Sequence, residues 1–196
     1  MKPAPRLVLA SGSPRRRETL ARLGFEFTVR PVDIDESRGT NENALDYVRR
    51  LAEEKARTDA RQGEIILAAD TIVELDGELL GKPKGAEAAA AMLRRLSGRD
   101  HEVSTGVAVF DVDRDHLEVA VETTVVRFAP LEPTEIAWYV ASGEPMDKAG
   151  AYAIQGLASL FVESIEGNYA NVVGLPVPTV YRMLLKQGIP PPEKPT

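Results

Sequence analysis

The run IILAADTIV at residues 65–73 is strongly apolar and carries a single charged residue, Asp70. A short apolar run of this kind predicts a buried β-strand. The dipeptide Asp76-Gly77, which is typical of two-residue hairpin turns, follows closely and leads into Glu78–Leu80. The segment is therefore expected to form a strand that turns back on itself as a hairpin.

Further strand patterns lie on both sides of this hairpin. Apolar residues alternate with polar ones through residues 103–109 and 117–125, and the polar stretch Asp111–Asp115 separates the two runs. This arrangement predicts a long antiparallel hairpin. The other expected strands are Leu7–Ala10, Phe25–Arg30 and a segment near Leu160–Ile165.

Helical patterns lie between the expected strands. Ser13 is a favourable N-cap and Pro14 a favourable first helical residue, so a helix is expected to begin there and to end at Gly24. The other expected helices run from Ala44 to about Ala60 behind the cap Asn43, over Ala86–Leu96, over Glu135–Ala141 and over Pro176–Leu185. The mixture predicts an α/β protein with a mixed, twisted sheet flanked by helices.

Composition excludes several classes of protein. The 196 residues suit a single domain, expected over residues 1–188, and the four prolines of IPPPEKPT predict a flexible tail over residues 189–196. With 24 basic and 30 acidic side chains the net charge is −6, which argues against a nucleic-acid polymer as partner. The chain has no cysteine, so thiolate metal sites and thiol nucleophiles are excluded. No apolar run approaches the length of a signal or membrane segment, so a cytoplasmic location with no membrane partner is expected.

Arg15, Arg16 and Arg17 occupy the first turn of the first expected helix. Cations at a helix N-terminus oppose the helix dipole, at about 0.3–1 kcal/mol each when exposed. Free backbone N–H groups beside arginines form an anion site of the kind that phosphates use, which we favour over a solvated basic face. Such a site would hold a small anionic ligand despite the acidic total.

Asp70 is a charge inside an apolar run, where burial is costly unless the carboxylate is paired. It suits a catalytic carboxylate, and it equally suits a strand-ending residue bonded to nearby N–H groups. Lys55 lies at the edge of its helix's apolar face, either as a stem that reaches water or as part of a phosphate pocket together with Lys82. Known nucleophile and zinc motifs are absent, so carboxylates and cations remain, the groups of magnesium-assisted phosphoryl chemistry.

Six segments in order resemble the Maf family of nucleoside triphosphate pyrophosphatases. They are LVLASGSPRRRETLARLG (7–24), RLAEEKA (50–56), AADTIV (68–73), Gly81-Lys82-Pro83, DKAGAYAIQG (147–156) and GNYANVVGLP (167–176). The resemblance runs from about Leu7 to Leu185. It implies an elongated two-lobed fold with a central cleft, related to the inosine triphosphate pyrophosphatases, and a homodimer.

The resemblance also implies the activity. The family hydrolyses nucleoside triphosphates to the monophosphate and pyrophosphate with a divalent cation, Mg²⁺, Mn²⁺ or Co²⁺, and is associated with removal of modified nucleotides and with septum formation. Thr71 and the Ile-Gln-Gly segment at Gln155 resemble the branch that prefers dTTP and UTP. A purine-directed pyrophosphatase and a nucleotide-binding regulator of septum formation with little catalysis are the alternatives.

Site residues follow from the matched motifs. Asp70 matches the proposed general base and is also a candidate metal ligand together with Glu36, which lies in Asp33-Ile34-Asp35-Glu36. The candidate phosphate-binding residues are Ser13, Arg15, Arg16, Lys55 and Lys82, and the positions linked to base choice are Arg15, Thr71 and Gln155. The expected reaction is in-line attack of water on the α-phosphorus, with the cations stabilising the departing pyrophosphate.

Overall fold

Seven strands and six α-helices form most of the regular structure in residues 5–192, the part of the chain that this computed structural model describes. The strands are β1 (Arg6–Leu9), β2 (Thr28–Val29), β3 (Glu64–Leu75), β4 (Glu78–Leu80), β5 (Asp100–Asp111), β6 (His116–Phe128) and β7 (Val162–Glu166). The helices are α1 (Pro14–Arg22), α2 (Ala44–Arg57), α3 (Ala86–Leu96), α4 (Pro133–Ala141), α5 (Tyr169–Val173) and α6 (Val177–Lys186). Three short 3₁₀ helices cover Glu144–Asp147, Ala149–Ala151 and Leu157–Phe161.

The strands form one mixed sheet in the order β2-β1-β3-β5-β6-β7, and β4 pairs with β3. β1 is parallel to both β2 and β3, with Val8 opposite Ile66, whereas β3–β4 and β6–β7 are antiparallel. This confirms the predicted α/β class with a mixed sheet and flanking helices.

The described residues divide into two compact units, each with its own apolar core. The first unit takes the chain up to Asp70, Thr105–Glu122 and the residues from Gly174 onward. The second unit takes Thr71–Ser104 and Thr123–Val173. The predicted single domain over residues 1–188 stays a prediction.

In the first unit, side-chain alternation along β1, β3 and β5 builds one core on each sheet face. Leu9, Leu67 and Val107 pack with Leu20 of α1 and Met183 of α6. The neighbouring residues of the same strands pack with α2, and this second cluster contains Val8, Ala10, Ala52, Ala56, Ile66, Ala68, Ala108 and Phe110. Asp70 is in phase with Ala68, so its side chain lies on the α2 face of the sheet.

Helix α2 is amphipathic and packs closely on the sheet. Asn43 caps it, since its side chain accepts a hydrogen bond from the backbone N–H of Asp46 at 2.9 Å. The buried side includes Val48, Leu51 and Lys55. A Cβ at Gly106 of β5 would lie 2.5 Å from the carbonyl carbon of Val48, so only glycine allows this approach.

In the second unit, the predicted hairpin turn is confirmed, because Asp76 and Gly77 both have positive φ, 55° and 78°. α3 occupies the predicted residues, Ala86–Leu96, and packs against α4. The core is rich in aromatic rings, among them Phe128, Tyr139, Tyr152 and Phe161.

Several expectations about extent are wrong. The strand expected over Phe25–Arg30 is reduced to Thr28–Val29, and the first described helix ends at Arg22, just before the positive-φ Gly24. α2 ends at Arg57 instead of about Ala60 because the backbone becomes extended at Thr58, with ψ 129°, and Asp59 has a positive φ of 54°. The 3₁₀ helices and α5 are too short to leave a periodic pattern in the sequence.

Within the predicted tail, Ile189 is packed in the core of the first unit, and its N–H donates to the carbonyl of Leu184 at 3.0 Å. The tail prediction for residues 193–196 lies outside the described residues. None of the helices in residues 5–192 has both the length and the apolar composition needed to cross a membrane.

Candidate functional site

Lys55, Asp70 and Glu36 form an ion cluster in the first unit. The ammonium nitrogen Nζ of Lys55 lies 2.7 Å from Oδ1 of Asp70 and 2.6 Å from Oε1 of Glu36. The Asp70 side chain is 15 % exposed and that of Lys55 10 %, whereas Glu36 is 57 % exposed. The cluster is therefore anchored in the protein at the lysine and aspartate and opens to solvent at the glutamate.

The burial of Lys55 argues against the interpretation of its side chain as a stem that reaches water. A stem at the core margin would carry its ammonium group into water. Here the group stops at two carboxylates, which offset its desolvation. Asp70 lies inside β3, so its interpretation as a strand-ending residue is wrong, and its carboxylate is paired with the Lys55 side chain.

The loop that carries Glu36 is tied to α2. The Tyr47 hydroxyl donates to the backbone carbonyl of Glu36 at 2.8 Å, and Arg50 Nη2 donates to the carbonyl of Ser37 at 2.9 Å. Arg50 also pairs with Glu42 at 2.7 Å and lowers the pKa of that carboxyl to about 2. Burial, and then the charges of Asp70 and Glu36, raise the pKa of Tyr47.

The start of α1 brings an arginine to the same unit. Ser13 caps the helix as predicted, with its hydroxyl 3.5 Å from the N–H of Arg16. The Arg16 side chain is partly buried, and it donates to the carbonyl of Gly174 at 2.7 Å and to the Ser11 hydroxyl at 3.1 Å. These bonds hold Arg16 in place at an unfavourable end of the helix dipole.

Electrostatics connect Arg16 with the ion cluster. Burial lowers the pKa of Arg16, and the charge of Arg15 acts in the same direction. The carboxylates of Asp70 and Glu36 oppose that shift, so they lie within electrostatic range of the guanidinium. Arg16 therefore lies near the ion cluster, while Arg17 is exposed, and the anion site at the start of α1 stays a prediction.

Three other predicted residues belong to the second unit. Thr71 follows Asp70 in β3 and is half-buried, while Lys82, after β4, and Gln155, in a turn, are exposed. The segment that carries Gln155 is tied to the Gly81-Lys82-Pro83 motif, because the N–H of Gly150 donates to the carbonyl of Gly81 at 3.2 Å. Two of the matched motifs are thus in contact within this unit.

Sequence reasoning did not single out Ser11 and Tyr47. Ser11 lies inside the matched segment 7–24, but nothing local indicates that its hydroxyl accepts from Arg16. Tyr47 is one of several residues on the first turns of α2. Its role depends on the path of the loop before the helix, which brings the carbonyl of Glu36 to the Tyr47 hydroxyl. Both contacts are tertiary.

Residues 5–192 contain no cluster of three or more His, Asp or Glu side chains that could hold a metal ion. Glu36 and Asp70 nevertheless offer carboxylate oxygens that converge on one point, occupied by the Lys55 ammonium. Magnesium is commonly held by one or two carboxylates together with substrate phosphates and water. Each carboxylate has a second oxygen besides the one that binds Lys55, so the pair fits a hard divalent cation that shares its coordination with a phosphate ligand.

The arrangement combines an almost buried carboxylate with cations that are fixed by hydrogen bonds. Such groups can bind an anionic ligand and orient or deprotonate a water molecule beside it. The cluster is suited to hydrolysis of a phosphate compound.

Comparisons with known proteins agree with this assignment. The family model described as Maf-like protein matches residues 6–187. A protein of Anaeromyxobacter sp. (strain Fw109-5), named dTTP/UTP pyrophosphatase, is 55% identical over 95% of this chain and 92% of its own. One of Myxococcus xanthus (strain DK1622) with the same name is 53% identical over 95% of this chain and 94% of its own.

Among solved structures, the Staphylococcus aureus Ham1 protein has a similar fold. The match has a TM-score of 0.53 at 16% sequence identity and covers 93% of this chain and 99% of that chain. At this identity the likeness concerns the fold alone. The family model spans nearly the whole chain, and the relatives match over nearly their full lengths. The chain belongs to the Maf family.

Proposed function

We propose that the protein is a nucleoside triphosphate pyrophosphatase that hydrolyses dTTP and UTP to the monophosphate and pyrophosphate. The bridge that Lys55 makes between Asp70 and Glu36 is the observation that carries the proposal, because it fixes a carboxylate among cations. The names of the relatives, dTTP/UTP pyrophosphatase, supply the substrate class.

In the proposed reaction, Asp70 orients a water molecule and accepts its proton as the water oxygen attacks the α-phosphorus in line. The bond between that phosphorus and the bridging oxygen breaks, and pyrophosphate leaves with the bonding electrons. Lys55 and Arg16 stabilise the charge that develops on the phosphates, an effect that is strongest where charge grows. Lys55 also holds the Asp70 carboxylate in place, since its ammonium nitrogen lies 2.7 Å from Oδ1.

The other predicted residues have supporting roles in the proposal. Ser13 and Arg15 at the start of α1, and Lys82 of the second unit, bind phosphate oxygens. Arg15, Thr71 and Gln155 contribute to the choice of base, on the strength of the matched motifs. The exposure of Lys82 and Gln155 supports these roles, because both side chains are accessible to a ligand.

Glu36 and Asp70 are the residues that would hold a divalent cation, Mg²⁺, Mn²⁺ or Co²⁺. When bound, the cation would supply positive charge that polarises phosphoryl oxygens. The two carboxylates would then act both as ligands and, in the case of Asp70, as the group facing the attacking water.

The test is a panel of canonical-base and modified-base triphosphates assayed for pyrophosphate release with each of the three metals. We expect turnover of dTTP and UTP by the wild type, and loss of most turnover in Asp70→Asn with the fold intact. The matched control is Asp115→Asn, at an exposed carboxylate with 84 % side-chain exposure, which should behave as the wild type.

Three results would overturn the proposal. Wild-type turnover in Asp70→Asn would remove the role of that carboxylate. No turnover on any triphosphate, with nucleotide binding retained, would instead identify a nucleotide-binding regulator of septum formation. Preference for purine triphosphates would identify the purine-directed alternative.

The proposal includes a cytoplasmic homodimer that keeps nucleotide pools free of unwanted pyrimidine triphosphates, with a link to division arrest. An acidic net charge of −6 is compatible with free nucleotides as the partners and disfavours a nucleic-acid polymer. Light scattering on the purified chain tests the dimer, since a monomer mass would contradict it.

A further inference from the structure

The carboxylate of Glu144 lies beneath the turn that carries Gln155. Its Oε2 accepts a hydrogen bond from the N–H of Leu157 at 3.0 Å, and its Oε1 lies 3.4 Å from the N–H of Ala158. One side chain thereby holds two consecutive backbone N–H groups just after Gln155. Hydrogen bonds between a carboxylate and backbone N–H groups are stronger than those between neutral partners.

Tyr139 of α4 holds the other end of the same turn. Its hydroxyl donates to Oε1 of Glu144 at 2.9 Å and accepts from the N–H of Ala153 at 3.2 Å. The tyrosine is fully buried, and its ring packs edge-on against Phe161. The pair Tyr139–Glu144 therefore ties the backbone on both sides of Gln155 to the buried core of the second unit.

Gly156 shows how closely the turn sits on Glu144. A Cβ at this position would lie 2.5 Å from Cδ of Glu144, although the φ of Gly156 is −104°, which any residue can adopt. The absence of a side chain at Gly156 leaves the space that the Glu144 carboxylate occupies. A side chain there would push the Glu144 carboxylate away from the two N–H groups that donate hydrogen bonds to it.

Gln155 itself is exposed while its backbone is held on both sides. A polar side chain on a fixed turn loses little further backbone entropy when it hydrogen-bonds a ligand. The orientation of the turn therefore decides which hydrogen-bonding groups of a base its amide can meet.

We propose that Glu144 is a positioning residue for Gln155, and that it sets base choice by fixing the turn Ala153–Ala158. This inference rests on the proposed function, in which Gln155 contacts the base. Glu144 does not touch the substrate in this scheme and acts only through the turn.

The test compares Glu144→Ala, Glu144→Gln and Gly156→Ala with the wild type. We expect amide hydrogen exchange at residues 155–158 to accelerate in all three variants, because the N–H groups lose their carboxylate acceptor. We expect the ratio of kcat/KM for dTTP over dGTP to fall about tenfold in Glu144→Ala, a loss typical of one removed hydrogen-bonding anchor. The glutamine variant should fall between alanine and wild type, since it keeps one oxygen acceptor.

Ser142→Ala is the matched control. Its hydroxyl accepts from the N–H of Glu144 and donates to the carbonyl of Tyr139, so the variant disturbs the same region but leaves the carboxylate contacts in place. Its exchange at residues 155–158 and its dTTP/dGTP ratio should match the wild type. If the substitutions acted only by destabilising this region, the melting temperature would fall in the control and test variants alike. The ratio of kcat/KM for dTTP over dGTP would then stay at its wild-type value.

Unchanged exchange at residues 155–158 or an unchanged ratio in folded Glu144→Ala would overturn the proposal. If Glu144→Ala does not fold, Gly156→Ala and Glu144→Gln decide by the same two readouts. A wild type without preference for dTTP and UTP would overturn the proposed function, and exchange in the absence of nucleotide would then show separately whether Glu144 fixes the turn.

Discussion

The ammonium nitrogen of Lys55 and the carboxylate oxygen Oδ1 of Asp70 are 2.7 Å apart, with both side chains largely buried. Removing one member of such a buried ion pair lowers the free energy of unfolding, because the remaining charge stays buried without a partner. Helix α2 and strand β3 supply one member each, so the pair also couples two elements of the first unit. The first prediction concerns this coupling.

Replacing Lys55 by methionine removes the ammonium group and keeps the length of the stem. We expect Lys55→Met to lose about 2–4 kcal/mol of unfolding free energy, because Asp70 is left as an unpaired buried carboxylate. In Lys55→Met/Asp70→Asn the loss should be smaller than the sum of the two single losses by about 1–3 kcal/mol. Urea denaturation of the four proteins measures this coupling.

The control for that cycle is Lys186→Met. Lys186 pairs with Glu118, but its side chain is 65% exposed, so its loss should cost about 0–1 kcal/mol. Strict additivity between Lys55 and Asp70 would contradict the prediction.

Arg15 and Arg16 should respond differently to replacement by glutamine. Both variants are expected to weaken triphosphate binding, but only Arg16→Gln should also lower stability, by about 1–3 kcal/mol, because it loses its bonds to Gly174 and Ser11. Arg15→Gln should leave the melting temperature equal or slightly higher, since it removes a cation from the positive end of α1. Calorimetry without nucleotide and equilibrium binding of a non-hydrolysable triphosphate separate the two effects.

For Arg16 this differs from what the sequence pattern alone implies, which is that neither arginine stabilises the fold, because cations at a helix N-terminus oppose its dipole. The structure shows that Arg16 is partly buried and bonded to the backbone. Equal melting temperatures for the two variants would contradict a structural contribution of Arg16.

Alanine at Gly106 should disrupt the packing of α2 on β5. The new methyl group would lie 2.5 Å from the carbonyl carbon of Val48, and the backbone of a helix cannot yield as a side chain can. We expect a loss of about 3 kcal/mol or more of unfolding free energy, at the upper end for overpacking. Gly81→Ala is the control, because no atom lies within 4 Å of a Cβ there. Equal stability of the two variants in urea denaturation would rule out the close approach.

His101 should make stability depend on pH. Burial lowers its pKa to about 4, so between roughly pH 6.5 and 4 the unfolded chain binds a proton that the folded chain does not. The neutral, buried His101 therefore favours the folded state fully above pH 6.5. As the pH falls from 6.5 to 4, the free energy of unfolding decreases by up to about 3 kcal/mol. In the folded protein Nε2 lies 2.8 Å from the Tyr152 hydroxyl, and Asp100 is the nearby charge that opposes the shift.

His101→Gln should flatten that part of the pH profile, because glutamine does not titrate. His116→Gln, at an exposed histidine, should keep the wild-type profile. Urea midpoints between pH 4 and 7 are the measurement, and an unchanged slope in His101→Gln would contradict the prediction.

Local signals in the sequence predict the elements because each depends on near neighbours. Ser13 and Pro14 mark the start of α1, Asp76-Gly77 marks the hairpin, and the spacing of apolar residues marks α3 over Ala86–Leu96. Asp70 stands out in the same way, because it is the single carboxylate in the apolar run IILAADTIV. Motif resemblance adds Glu36 and Gln155, which carry no local signal of their own.

The sequence by itself determined the α/β class, the order of the main elements and the candidate residues, since periodicity, caps and turns act within a few residues. Only the tertiary structure decided that Lys55 bridges Asp70 and Glu36, that Arg16 bonds to Gly174, 158 positions away, and that Glu144 fixes the turn of Gln155. These contacts depend on which face of the sheet a side chain lies on, on how the helices pack and on the paths of the loops. Together these bring residues that are distant in the sequence within 3 Å of each other. Desolvation and pairing of charge arise from that packing, and no local pattern specifies them.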